Sequence, residues 1–182
     1  MVASVSLKPM KTLRYSLAFV LGVAAITGLR AANPSADSRV TVEFSDPDKF
    51  TDAADGQRGS DYGRDKNLEE LKDYIVQRAT KMLPEGQKLA VTITDVGLAG
   101  EVEPWRSPSA QDIRIIKDIY APRIQLSFKL TDANGTVIKE GKRTLSDLSY
   151  TMKLRVDRSD PRVYDKGLLD DWLRSEFGRA KK

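Results

Sequence analysis

Carboxylates are the only side chains here with the numbers and spacing for acid–base chemistry. The chain has no histidine and no cysteine. Ser-His-Asp triads, Cys-His dyads and histidine general bases are therefore excluded, as are the usual zinc, haem and iron–sulfur ligand sets. Carboxyl pairs can run hydrolysis without histidine, as in glycosidases. The nearest pairs are Glu101 with Glu103, Asp112 with Asp118, and Asp170 with Asp171. Nothing in their neighbourhood points to the desolvation that a raised pKa requires, so they read as surface carboxylates. Six aspartates, Asp46, Asp48, Asp52, Asp55, Asp61 and Asp65, crowd one stretch. Their spacing does not match an EF-hand, and turn chemistry explains them, so no metal site is assigned. There is no Gly-x-Ser-x-Gly elbow and no phosphate loop, and no cofactor is implied.

The candidate binding residues lie together instead. Trp105 and Arg106 are residue types enriched at binding hot spots, and they fall between Glu101, Glu103 and Asp112. The segment from Gly97 to Gln111 is long for a connection and has neither a helical nor a strand period. Pro104 and Pro108 restrict it, which lowers the entropy lost on engaging a partner. Trp105 has two readings, as an exposed anchor or as a lid folded over the sheet's edge.

These residues need a scaffold, and the stretch Arg123–Leu145 is its centre. Ile124, Leu126, Phe128 and Leu130 alternate with Arg123, Gln125, Ser127 and Lys129, the period of a strand with one buried face. Asp132-Ala133-Asn134-Gly135 supplies a hairpin turn, either two-residue or a type I turn with a bulge at Gly135. The bulged form is favoured, since it sets Leu130 near Ile138. Val40, Val42 and Phe44 mark an earlier strand, and Leu89, Val91 and Ile93 a later one. Between these two, Asn67–Leu83 carries Leu68, Leu71, Ile75, Ala79 and Met82 at helical spacing. Asn67 and Glu70 are placed as a capping box. Strand, helix, strand predicts a crossover within one sheet. Asp112–Tyr120 reads as a further extended segment, and Tyr150–Val156 is ambiguous but keeps an edge-strand period. Pro161–Phe177 reads as a closing helix with Trp172 in its apolar stripe. The fold class is α+β: a two-layer sandwich with an antiparallel-rich sheet of four to five strands and two helices on one face.

The amino terminus has a different character. Lys8, Lys11 and Arg14 precede an apolar run from Leu17 to Leu29 that is shorter than a bilayer span, so residues 1–31 read as a signal peptide. Residues 32–38 are a linker, and 39–182 a single α+β domain. The only charges before Ala32 are Lys8, Lys11, Arg14 and Arg30. Removing those four from the 30 basic residues leaves 26, equal to the 26 acidic ones. The processed chain is formally neutral, which argues against nucleic acid as a partner. No stable membrane insertion is expected after processing.

The segments VTVEFSDPDKFTDA (Val40–Ala53), LPEGQKLAVTITDVGLAGEVEPW (Leu83–Trp105), RIIKDIYAPRIQLSFKLTDANGTVIKEG (Arg114–Gly141) and YDKGLLDDWLRSEF (Tyr164–Phe177) resemble a bacterial secreted family. It is the domain of unknown function numbered three-zero-one-six. The resemblance spans nearly all of the mature chain and implies export to the periplasm of Gram-negative bacteria. It carries no activity, substrate or catalytic residue. The leading expectation is a non-catalytic periplasmic binding or interaction module whose partner is an unknown envelope protein or small ligand. The alternative is a carboxylate-dependent hydrolase acting on envelope polymers.

Overall fold

The computed structural model describes residues 39–54, 61–103, 105, 113–153 and 159–178. Its main sheet has four strands: β1 (Val40–Phe44), β2 (Lys88–Gly97), β5 (Arg123–Thr131) and β6 (Val137–Ser146), in the order β1-β2-β5-β6. A second, two-stranded ladder pairs β3 (Glu101–Val102) with β4 (Arg114–Ile115). β1 and β2 are parallel, joined through helix α1 (Asp61–Met82), so the crossover expected from strand-helix-strand is present. The other pairings in the main sheet are antiparallel.

The inward residues of the sheet meet α1 and α2 (Val163–Phe177) on one face, giving the two-layer α+β architecture. Leu68, Leu71, Ile75 and Ala79 of α1 are buried against Val40, Val42, Leu89, Val91 and Ile93. Trp172 and Phe177 of α2 pack edge-on against Phe128 of β5, with centroids 5.9 and 5.5 Å away. Such pairs add to the burial of the rings themselves.

Four expectations change. Helix α1 starts at Asp61, not at Asn67, so Asn67 is no cap. It is buried within the helix, and its Nδ2 donates to the Ala53 carbonyl at 3.1 Å. The extended reading of Asp112–Tyr120 shrinks to the two residues of β4, followed by a turn. Tyr150–Met152 forms a 3-10 turn rather than an edge strand, and residues 154–158 lie outside those described. Pro161 precedes α2 in a turn, and the helix begins at Val163.

The hairpin keeps its bulged turn but in a different register. Gly135 has φ +84°, and Asp132 Oδ1 accepts the N–H groups of Asn134 and Thr136, each at 2.8 Å. Leu130 pairs with Lys139 and Thr131 with Val137, so Ile138 is an extra residue in β6 and does not face Leu130 as expected. A one-residue change exchanges the faces of a strand. Lys139, Gly141, Arg143 and Leu145 therefore stand on the helix side, and Ile138 is exposed. The two inward cations are held by Glu176 at the end of α2, with Lys139 Nζ at 2.6 Å and Arg143 Nε at 2.5 Å. Burial pushes the Glu176 carboxyl upward, but Arg143 and Lys139 outweigh it and hold it below the ordinary glutamate range.

Candidate functional site

The long connections gather where β2 ends and both helices begin. Asp52 starts the assembly. Its N–H donates to the Val96 carbonyl (2.9 Å), and its carbonyl accepts from Leu98 (3.0 Å), a short parallel bridge alongside Gly97. Its carboxylate is gripped by Arg114 of β4, with Nη1 to Oδ2 at 2.7 Å and Nη2 to Oδ1 at 2.9 Å. The remaining donors of the fork reach the carbonyls of Gly100 (2.8 Å) and Ala54 (2.7 Å). One guanidinium thus ties three backbone segments together, a task that needs arginine's planar, multi-donor geometry.

Gly100 makes the close approach possible. Its φ is +82°, and a Cβ there would stand 2.8 Å from the Ile115 carbonyl oxygen. Its N–H donates to the Tyr120 carbonyl at 2.9 Å. Glu103 follows and is buried, with 2 % exposure. Its Oε1 accepts from Lys117 Nζ and from the Tyr120 hydroxyl, the latter at 2.8 Å. The Tyr150 hydroxyl donates to the Lys117 carbonyl at 2.8 Å, and Thr151 Oγ1 donates to Asp118. These bonds join the 147–153 turn to the 117–120 turn.

Asp165, in the first turn of α2, lies beneath this layer. Its Oδ1 accepts the Ala99 N–H at 2.8 Å, while its buried Oδ2 has no hydrogen-bond partner. Burial raises its pKa to about 6, against the opposing pull of the Ala99 N–H and of Arg162 and Arg114.

The segments that carry this polar layer also carry exposed apolar side chains. Trp105 is 72 % exposed, Ile119 and Leu148 each 77 %, and Met152 83 %, with Ile113 and Ile116 exposed beside them in sequence around β4. Of the five binding candidates, Trp105 stands in solvent rather than as a buried lid. Glu101 is exposed on β3, and Glu103 turns inward to Lys117 and Tyr120. Arg106 and Asp112 lie outside the described residues.

Two of the carboxylates expected on the surface are buried. Glu103 is one, and the other is Asp170, which accepts from Arg78 at 2.5 and 2.8 Å. Four aspartates of the first connection serve arginines, since Asp48, Asp61 and Asp65 surround Arg64 and Asp52 holds Arg114, while Asp46 pairs with Lys49. Asp55 lies outside the described residues. No group of acidic side chains arranged to hold a metal ion occurs among the described residues, and no helix among them is long and apolar enough to cross a membrane. Sequence reasoning missed Asp165, although a signal existed. With Leu168, Leu169 and Trp172 it keeps the i, i+3, i+4, i+7 spacing that puts it on the buried stripe.

The architecture is a two-layer α+β sandwich with its irregular segments gathered at one end of the sheet. The chain belongs to the family described as "Protein of unknown function (DUF3016)", whose model matches residues 38–175. A comparison with curated proteins finds no match. Among solved structures, the chain is similar to the PelC dodecamer from Paraburkholderia phytofirmans in two crystal forms. In the C2 form, a single-substitution variant, identity is 14% with a TM-score of 0.36, covering 79% of this chain and 91% of that one. In the P6 form, identity is 13% with a TM-score of 0.35, covering 79% and 92%.

Proposed function

We propose that this protein is an exported, non-catalytic binding module of the bacterial periplasm. It engages an envelope protein or small ligand through the rim made by Trp105, the 113–120 segment and the 147–153 turn. Export rests on the basic and apolar pattern of residues 1–31, with 39–182 as the working domain. The observation that carries the binding reading is the exposure of Trp105, Ile119, Leu148 and Met152 on segments tied together by the Tyr120–Glu103 and Tyr150–Lys117 hydrogen bonds. Exposed apolar side chains gathered on one surface mark interaction sites. The buried acids Glu103 and Asp170 support this reading by serving as anchors for Lys117 and Arg78. Chemical cross-linking in intact cells tests it. The native chain should give adducts that the Ile119→Asp/Leu148→Asp variant loses, and an identical adduct pattern from both would overturn it.

A second reading, a carboxylate-dependent hydrolase acting on envelope polymers, draws on Asp165. A buried carboxyl group with pKa about 6 can hold a proton near neutrality, as a general acid must. It would need a second carboxylate about 5–9 Å away across a substrate cleft. Release of soluble fragments from purified cell-wall polymer, abolished by Asp165→Asn, would support this reading. No release from any envelope polymer would dismiss it.

A further inference from the structure

We propose that the face of the sheet turned away from the helices is a second binding site, a shallow trough for a carboxylated polysaccharide chain. It is independent of the rim. The strand register makes this face contiguous. Alternate residues of β2, β5 and β6 point outward, while their neighbours turn to the helices. Thr92 pairs with Ser127 and Ser127 with Lys142, one row across three strands. The outward pairs Gln125–Thr144 and Lys129–Glu140 flank that row. Directly paired side chains on one face stand about 5 Å apart. Two open depressions, one bordered by Thr94, Gln125 and Thr144 and the other by Ala90, Thr92 and Glu140, share Ser127 and Lys142 and so run into each other.

Charge and hydroxyl chemistry select the occupant. On the half of this face made by β5 and β6, Arg123, Lys129 and Lys142 stand against one acid, Glu140. Glu140 lies 3.9 Å from Lys129. Lys142 meets no carboxylate among the described residues. The other acids lie across the sheet. Glu43, on β1, ends the row that Lys142 begins. Asp95, at the β2 bulge, already accepts from Thr51 at 2.7 and 2.9 Å and from Gln125 at 3.3 Å. The positive excess beside the trough therefore suits an anionic ligand. Around Lys142, the hydroxyls of Thr92, Ser127 and Thr144 can each donate and accept, as a hydroxylated ligand requires. Leu126 and Phe128 border the depressions but bury their side chains in the core. No aromatic ring among the described residues of these strands thus projects outward to stack a nucleobase. Ala90 alone is too little apolar surface for the centre of a protein interface. An open trough also suits an extended chain better than a small molecule, which calls for a deeper enclosure.

Calorimetric titration of the exported protein with polygalacturonate tests the proposal. Dextran, which has hydroxyls without charge, and poly-L-glutamate, which has charge without hydroxyls, should each bind at least about tenfold more weakly. Lys142→Glu, at an exposed site, should weaken polygalacturonate binding at least about tenfold, the equivalent of one charged hydrogen bond. The double variant Thr92→Val/Ser127→Ala keeps every charge and should weaken it roughly three- to tenfold. Lys72→Glu, exposed on α1, and the rim variant Ile119→Asp should both bind as the native chain does. Circular dichroism should show all variants folded. No binding at about 1 mM uronate, the weak end of specific association, would overturn the proposal. So would equal affinity for poly-L-glutamate, or binding indifferent to both the Lys142 and the hydroxyl variants. Loss of binding in Ile119→Asp would overturn it too, by moving the ligand to the rim.

Discussion

Arg114 and Asp52 form a two-point ion pair, 2.7 and 2.9 Å, that holds the β3–β4 ladder against the connection leaving β1. The arginine is nearly buried, whereas the aspartate is about one-third exposed. Removing one partner of such a pair leaves a charge without compensation.

Arg114→Lys should therefore lose about 2–3 kcal/mol of stability, below the full cost of breaking a buried pair because solvent reaches Asp52. Lysine retains the charge but cannot span both oxygens and the carbonyls of Gly100 and Ala54 at once. Urea melts of Arg114→Lys, Asp52→Asn and the double variant check this. Strict additivity of the two single losses would show that the residues act independently.

The regular elements were legible in the sequence because their alternation has one physical cause. Val40, Leu89, Ile124 and their neighbours at period two, and Leu68, Leu71 and Ile75 at helical period, each had one apolar face to bury. The hairpin register was not legible to the residue. Both turn forms satisfy Asp132 and Gly135, and the deciding contact is Glu176, thirty-seven residues beyond Lys139. The first turns of α1 were hidden for a related reason. Their polar sequence, DYGRDK, is stabilised by Arg64 among three aspartates rather than by an apolar stripe. At the candidate site, Trp105 stood out by its type and setting, but the sequence left it open between exposed anchor and lid, and only the structure gives its 72 % exposure. Asp165 was masked because an acid on a buried stripe looks like an ordinary surface residue until Ala99 is seen to approach it.

Asp165 makes stability depend on pH in a defined direction. Its carboxyl group titrates near 3.8 when unfolded and at about 6 when folded. The folded state thus binds more protons between these values, and stability falls as pH rises through that window. The difference amounts to roughly 3 kcal/mol, fully present below the unfolded pKa and lost above the folded one. Glu176 acts oppositely, because its lowered pKa gives stability that is lost only in more acid solution. Asp165→Asn keeps an oxygen for the Ala99 N–H and cannot ionise. It should flatten the change between about pH 3.8 and 6 and raise the urea midpoint at pH 7. A variant with the native pH profile would show that other groups produce it.

The two tryptophans should respond to truncation in opposite ways. Trp172 is buried among Phe128, Phe177 and the α2–sheet core, with only 4 % exposure. Trp172→Ala removes the ring and leaves a cavity, and should cost about 3–5 kcal/mol. Trp105 stands 72 % exposed at the rim, so Trp105→Ala should leave stability within about 0.5 kcal/mol, as ordinary surface changes do. The same substitution should nevertheless weaken whatever the rim engages, because an exposed indole is a large apolar contact at small conformational cost. Denaturant melts and cross-linking on the same variants separate these effects. A large fall in the Trp105→Ala midpoint at unchanged slope would make the residue a structural lid and remove it from the binding surface. An unchanged midpoint with lost adducts is the outcome the exposed geometry predicts.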